Sequence, residues 1–406
     1  MLTAEKIPPR GHDKNAPQPA WIEHLRGRYT TEREVDAILT RRLGRRAGPG
    51  YAPQSLATLR AGVEALLRDE LDEPFTVLDT RWLTGGASKV QMAFTLDWVE
   101  PGVGRTRTPM VLRMEPAESI VETSRLREFQ LIRAMRGVVP VPPAYWVDAD
   151  GSHLPYPALI YGFVPGATKP STATSGVSGL GINFGPALRG PLASQFVEHL
   201  AAVHTFDFSG AQLSAFDVPQ VGTQSVEWGL NWWARVWEED CGEEVPLMNL
   251  AAHWMRQNMP PADRICVIHG DYRAGNYLFT EADARITALL DWELGRLGDR
   301  HQDLAYLATP VFGHLAEDGV TFLASGLLPP DELYEAYEKA SGLTVDPRRL
   351  HFYKIYNAFF LAALTLGTGY RIARGGKTHQ DVLVAWLIGI GSLLLDEIRV
   401  LLEKGF

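Results

Sequence analysis

The sequence predicts an α+β protein in which a small antiparallel sheet, with one helix set among its strands, precedes a larger and mainly helical part. Three observations carry this prediction. Short β-rich segments, FTVLDTRWL, KVQMAFTLDWV and TPMVLRM, cluster between Phe75 and Met114, the first two joined across a Gly-Gly turn. A helical spacing, VETSRLREFQLIRAM, lies between them and a further strand-like segment, YPALIYGFV. Beyond Pro191 the patterns are helical, interrupted once by a strand-like block from Ile265 to Leu290.

In chain order, residues 1–53 are rich in Arg, Pro and Gly around one short helical pattern, TTEREVDAILTRRL, whose Thr31-x-x-Glu34 reads as a capping box. They are expected to be a partly helical extension. The helical pattern SLATLRAGVEALLRDEL opens a unit over residues 54–162 that contains the sheet and the helix REFQLI. Residues 163–406 form the larger helical unit. Its first part, from Gly166 to Pro191, is Gly, Ser, Thr and Pro with little periodicity, expected as a long loop or a mobile insert.

Trp228, Trp232, Trp233 and Trp237 recur at helical spacing, either as a core stripe or as a ligand wall. The acids Glu238, Glu239, Asp240, Glu243 and Glu244 follow, as a solvated loop or as an attractor of a cationic ligand. The uncharged apolar run between Asp381 and Asp396 falls short of the roughly 20 residues a bilayer span requires, and is expected to be a buried core helix.

The composition of the 406 residues, 46% hydrophobic and 21% charged, is that of an ordinary globular protein. The net charge of -9 argues against nucleic acid or an anionic membrane as partner. Cys241 and Cys266 alone make no disulfide framework. With no apolar stretch of signal-peptide length near Met1, a cytoplasmic protein is expected.

The chemistry concentrates in ICVIHGDYRAGNYLFTEADARITALLDWE. An apolar strand ends at His269-Gly270-Asp271, a loop reaches Asn276, and a hairpin ends at Asp291, so three oxygen-bearing side chains arrive at strand ends. Such donors suit Mg²⁺, which takes one or two carboxylates and completes its shell from phosphates and water. The spacing His-x-Asp-x-x-x-x-Asn equals that of the kinase catalytic loop. Asp, Gly and Asn also fill ordinary turns, so it is the added Asp291 that makes the pattern specific.

Through HGDYRAGN and the later DWELGRLGDRHQDLAYL, the chain from about Leu83 onward resembles the aminoglycoside phosphotransferase (APH, choline-kinase-like) family of small-molecule kinases. The resemblance implies a protein-kinase-like two-lobed fold, with ATP and Mg²⁺ as cofactors and a small-molecule hydroxyl as acceptor. It casts Asp271 as the catalytic base, Asn276 and Asp291 as metal ligands, and His269 as a structural residue. Arg273, two residues after the base, is the candidate cation for the transferring group. Gly85, Gly86 and Ser88 resemble the phosphate-covering loop, although Gly-Gly also serves as a hairpin turn. Arg113 stands where kinases carry lysine, with Glu128 as its matching acid, and its fixed charge and fork geometry differ from lysine's. Tyr161, Phe163 and Val164 occupy the hinge that would meet adenine. Asp299 and Asp303 are expected to cap a helix and hold the loop.

A nucleotide-binding pseudokinase or regulatory module is the alternative to an active kinase, and the Arg113 departure is what favours it. A protein kinase ranks last, because no Ala-Pro-Glu follows Asp291.

Overall fold

The structure, a computed structural model, describes residues 13–83, 88–173 and 180–406, apart from the side chain of Asp381. Two helices, α1 (Pro19–Arg28) and α2 (Arg33–Arg45), come first, and α3 (Leu56–Glu70) leads into the sheet. The strands are β1 (Thr76–Trp82), β2 (Val90–Glu100), β3 (Gly104–Met114), β4 (Ala144–Asp148) and β5 (Ala158–Gly162), with α4 (Arg125–Met135) between β3 and β4. They form one antiparallel sheet in the order β1-β2-β3-β5-β4.

Two features of the sequence fix this part. The period-2 alternation of β2 sends Met92, Phe94, Leu96 and Trp98 to one face, where α3 covers them with Leu59, Val63, Leu66 and Leu67. Each of these side chains, fully buried, is worth roughly 1.5–3 kcal/mol. Ser55 and Ser124 cap α3 and α4, their hydroxyls accepting from Thr58 N–H at 3.0 Å and Arg127 N–H at 3.3 Å.

The helical part comprises α5 (Gly185–Thr205), α6 (Gln224–Asp240), α7 (Pro246–Gln257), α8 (His301–Tyr306), α9 (Pro330–Ser341), α10 (Pro347–Ala362), α11 (Tyr370–Arg374) and α12 (Asp381–Lys404), with a π-helical turn over Ala363–Gly369. Between α7 and α8 lie the short strands β6 (Cys266–Ile268), β7 (Tyr277–Thr280), β8 (Arg285–Leu289) and β9 (Arg296–Gly298). β7 and β8 form the expected hairpin, and β6 pairs with β9.

Several local expectations are corrected. Thr31 and Glu34 make no capping box: the residue flanking α2 is Glu32, and no side chain caps the helix. Tertiary contacts take those groups instead, with Thr31 donating to Trp228 O at 3.2 Å and Glu34 accepting from Ser124 at 2.8 Å. Of the N-terminal extension, Trp21, Leu25, Val35, Leu39 and Leu43 belong to the same buried cluster as α6.

Trp232, Trp233 and Trp237 of α6 are core, with Trp232 stacked on Trp233 at 4.8 Å and Trp233 on Phe360 at 4.9 Å, while Trp228 is half-buried. Glu239 and Asp240 are buried and ion-paired with Arg42, Arg46, Arg235 and Arg371, so this part of the acidic run is no solvated loop. The apolar run of α12 is buried on one side only: Val384, Leu394 and Ile398 face inward, while Val382 is 80% and Trp386 48% exposed. Among the described residues no helix is long and apolar enough to cross a membrane.

Candidate active site

β6 ends at Ile268, and the chain turns at Gly270, whose φ is +82°. A Cβ there would stand 2.5 Å from Leu294 O, so only glycine fits. Asp303, at the buried start of α8, holds the turn by accepting from His269 N–H at 2.7 Å and Gly270 N–H at 2.8 Å. Its third donor is His204 Nε2, at 3.2 Å. Burial raises the Asp303 carboxyl, but the His204 hydrogen bond and the neighbouring donors outweigh it and hold the group below its usual range.

His269 is buried and kept neutral by desolvation. Its Nδ1 accepts from Asp271 N–H at 3.3 Å, and its Nε2 donates to Leu290 O at 2.9 Å. Leu290 N–H in turn donates to Asn276 O at 2.8 Å. The backbone on the near side of Asp291 is therefore tied to both Asn276 and His269. Asp291 adopts φ +64°, a left-handed conformation that Asp tolerates better than most side chains.

The Asp271 carboxylate is held from both sides, Oδ1 by Arg273 Nε at 2.8 Å and Oδ2 by Asn276 Nδ2 at 2.6 Å. With its amide nitrogen so engaged, Asn276 has Oδ1 as its remaining ligating atom. The Arg273 guanidinium also lies 4.8 Å from the Phe312 ring. Burial opposes its charge, and Asp271 first, then Asp291 among others, raise its pKa regardless. Asp271 and Asp291 both favour the charged forms of Arg273 and His269 electrostatically. The hydroxyl of Tyr306 stands beside Asp271, its ionisation pushed far up by burial and then by that carboxylate.

On the sheet side, Arg113 of β3 is buried and meets three acids. Its Nε lies 3.2 Å from Glu128 Oε1, and its Nη2 lies 3.1 Å from Glu293 Oε1 and also contacts Asp291 Oδ1. The sequence pairs Arg113 with Glu128, and the two are together, inside the protein.

Sequence reasoning missed the rest of this cluster. Lys89 Nζ lies 2.6 Å from Glu293 Oε2 and 3.2 Å from Glu115 Oε2; Arg125 contacts Glu115, Glu128 and Glu293. Ser88 does not stand free for phosphate, since its hydroxyl donates to Glu293 Oε1 at 2.9 Å. Burial would raise Glu293, but Lys89, Arg113 and Arg125 hold it ionised, well below its usual range.

Gly85 and Gly86 lie outside the described residues. At the hinge, Gly162 N–H donates to Pro143 O at 2.8 Å and Phe163 N–H to Pro109 O at 2.9 Å, so neither donor is available to an adenine edge. Phe163 exposes its ring, and Val164 follows it. The Tyr161 phenol is raised to about 12 chiefly by burial, with Arg113 opposing the shift.

The residues fit a divalent cation. Lys89, Arg113 and Arg125 oppose Glu115, Glu128, Asp291 and Glu293, which leaves one carboxylate in excess. Asp291, with 30% of its side chain exposed, is the member nearest solvent. Together with Asn276 Oδ1 it makes an all-oxygen donor pair of the kind Mg²⁺ takes. Among the described residues no group of three or more His, Cys, Asp or Glu is arranged to hold a metal, so such an ion would need substrate phosphates and water to complete its shell.

A five-stranded antiparallel sheet, one internal helix whose acid meets a basic side chain of the central strand, and an Asp-Asn-Asp set at the edge of a helical part define a kinase-like phosphotransferase fold. Residues 98–353 match the phosphotransferase enzyme family (APH), and the chain belongs to it.

Solved structures share the fold. A putative aminoglycoside phosphotransferase from Ralstonia eutropha JMP134 superposes with a TM-score of 0.61 at 23% identity, over 84% of this chain and 98% of that one. The GDP and kanamycin complex of APH(2")-IIia gives 0.52 at 15% identity, over 83% and 98%. Macrolide 2'-phosphotransferase type I gives 0.51 at 19%, over 80% and 95%. Among curated proteins, acyl-CoA dehydrogenase family member 11 of Pongo abelii is 26% identical over 285 residues, and that of Homo sapiens 25% over 279. Each match takes in 67% of this chain but 35% and 34% of the relative, so the chain spans about a third of their length.

Proposed function

We propose that the protein transfers the γ-phosphoryl group of ATP to a hydroxyl of a small molecule. The observation that carries this reading is the Asp271 carboxylate fixed between Arg273 and Asn276, with Asn276 Oδ1 left as one metal donor and Asp291, whose Oδ1 contacts Arg113, as the other. Asp271 orients the acceptor hydroxyl and takes its proton as that oxygen bonds to the γ-phosphorus. The bond from phosphorus to the β,γ-bridging oxygen breaks, and ADP leaves. Arg273 stands ready to neutralise charge that develops on the transferring group. Mg²⁺, when bound to Asn276 and Asp291, supplies charge neutralisation and alignment of the phosphates. Arg113 is the cation available to phosphate oxygens once it exchanges its contact with Asp291.

The acceptor follows from trial. The names of the solved structures support including aminoglycosides and macrolides, and the names of the curated relatives support including hydroxyacyl thioesters. The acidic run gives little support to a polycation, because Glu239 and Asp240 are occupied inside the protein. The test is ADP release across a panel of hydroxyl-bearing metabolites, thioesters and antibiotics, with Asp271→Asn as control. Transfer to one class, reduced at least a hundredfold in the variant, is expected. Variant turnover within about threefold of wild type removes Asp271 from the role of base. Nucleotide binding with no transfer to any acceptor favours a regulatory module, a reading that the Arg113 contact with Asp291 also suits.

A further inference from the structure

α2 lies outside the segment that matches the family, yet it grips α4, which lies inside it. Glu32, at the entrance to α2, is buried and accepts from Arg127 Nη1 of α4 at 2.6 Å. Glu34 accepts from Ser124, the residue that caps α4, at 2.8 Å. Arg45, at the other end of α2, pairs with Glu122, two residues ahead of that cap. The same α2 is anchored to α6, where Arg42 Nη1 lies 3.1 Å from Asp240 Oδ2 and Arg46 Nη1 donates to Glu239 O at 2.9 Å. Val35, Leu39, Ser124, Arg127, Trp232 and Glu293 line one small void, so α2, α4, α6 and the strand-end loop after Asp291 meet there.

Arg127 is the hub. Beyond its pair with Glu32, its Nη2 donates to Gly295 O at 3.3 Å, and its guanidinium covers the Phe216 ring at 4.1 Å. Gly295 closes the segment that begins at Asp291, and it packs so tightly on α4 that a Cβ would stand 2.2 Å from Leu131 Cδ1. The next residue on α4 is Glu128, which meets Arg113, which meets Asp291. Displacement of α4 therefore moves the acid that aims Arg113 and the backbone that carries Asp291 together.

We infer that α2 forms an intramolecular bracket that holds α4 in the nucleotide-competent position, with Glu32 as its positioning residue. The inference rests on the kinase reading for its consequence, but the bracket itself is read on α4. Glu32 touches neither nucleotide nor acceptor; it acts through Arg127. When the bracket is released, the competent arrangement becomes a minor state, and nucleotide affinity falls by the fraction of molecules still competent.

The experiment uses the full chain with Glu32→Gln. Amide hydrogen exchange over Arg125–Met135 and the affinity for magnesium-AMP-PNP by calorimetry are measured on the same samples. Exchange in α4 is expected to rise at least tenfold, and the nucleotide dissociation constant about tenfold, with kcat at saturating ATP within threefold. Glu32→Asp, which keeps the carboxylate facing Arg127, is expected to lose less affinity than Glu32→Gln. A purely structural role would lower the melting temperature and leave the affinity of the folded molecules unchanged.

Unchanged α4 exchange overturns the bracket, and so does faster exchange with affinity within twofold of wild type. Should Glu32→Gln fail to fold, Glu34→Ala, which removes the partner of Ser124, is read against the same thresholds. A wild-type protein that binds no nucleotide refutes the kinase reading, and α4 exchange alone then decides the bracket.

Discussion

Asp303→Asn is the perturbation whose size follows most directly from geometry. In the wild type Oδ1 accepts from Gly270 N–H, and Oδ2 accepts from His269 N–H and His204 Nε2. An asparagine offers one acceptor and one donor. With its oxygen in the position that serves two donors, its amide nitrogen faces the Gly270 N–H, and that buried donor loses a charged partner, worth about 1.5–3 kcal/mol. The two surviving bonds fall from charge-assisted to neutral, each losing roughly half its strength. A total of about 3–6 kcal/mol results, and the opposite amide orientation loses more. Urea unfolding followed by circular dichroism at pH 7 measures it. Turnover should fall about a hundredfold as well, because the turn that aims Asp271 is released, and misplacement near 1 Å has that effect. A loss under about 1 kcal/mol together with turnover within threefold of wild type would refute the role of Asp303 as the holder of this loop.

Two further outcomes follow from the same site. Asn276→Leu removes both the donor to Asp271 and the oxygen offered to the metal, so the Mg²⁺ concentration for half-maximal activity should rise at least tenfold; an unchanged midpoint in a Mg²⁺ titration contradicts the assignment. Stability should also fall on mild acidification. His204 and His269 are buried with pKa values lowered from 6.5 by desolvation, so the unfolded chain binds their protons first, and their contribution is intact above about pH 6.5 and lost as pH drops toward the folded values. Asp303, also depressed, adds a second loss below about pH 4. Melting temperatures from about pH 8 down to about pH 2 check both, and a flat profile down to about pH 5 contradicts the first.

What the sequence makes legible is local. His269, Asp271, Asn276 and Asp291 lie within 23 residues of one another in a block whose strand and turn chemistry is explicit, and the structure brings them together at the ends of β6, β7 and β8. The pairing of Arg113 with Glu128 is legible because a strand and a helix frame it. The cluster around Glu293 is not. Lys89, Glu115, Arg125 and Glu293 converge from as far apart as the start of β2 and the turn before β9, and nothing in their spacing announces it. The weak signal is Lys89 itself, a cation directly after the Gly85-Gly86 loop.

Local rules also fail where tertiary contacts take the groups they need. Thr31 and Glu34 have the spacing of a cap, yet they bind Trp228 and Ser124. The uncharged face of α12 has the composition of core, but hydrophobicity alone does not tell a covered side from an exposed one. The buried pairs of α2 with α4 and α6 are invisible in the sequence for the same reason that they matter: each joins parts of the chain at least 77 residues apart.

The central claim is that Asp291 and Asn276 hold one divalent cation next to a triphosphate, with Asp271 beside it as base. Titration of Mn²⁺ with AMP-PNP, followed by electron paramagnetic resonance, tests it on the wild type, Asp291→Ala and Asp271→Asn. A nucleotide-dependent bound-Mn²⁺ signal is predicted in the wild type and in Asp271→Asn, with its loss in Asp291→Ala. An equal signal in all three would contradict the claim.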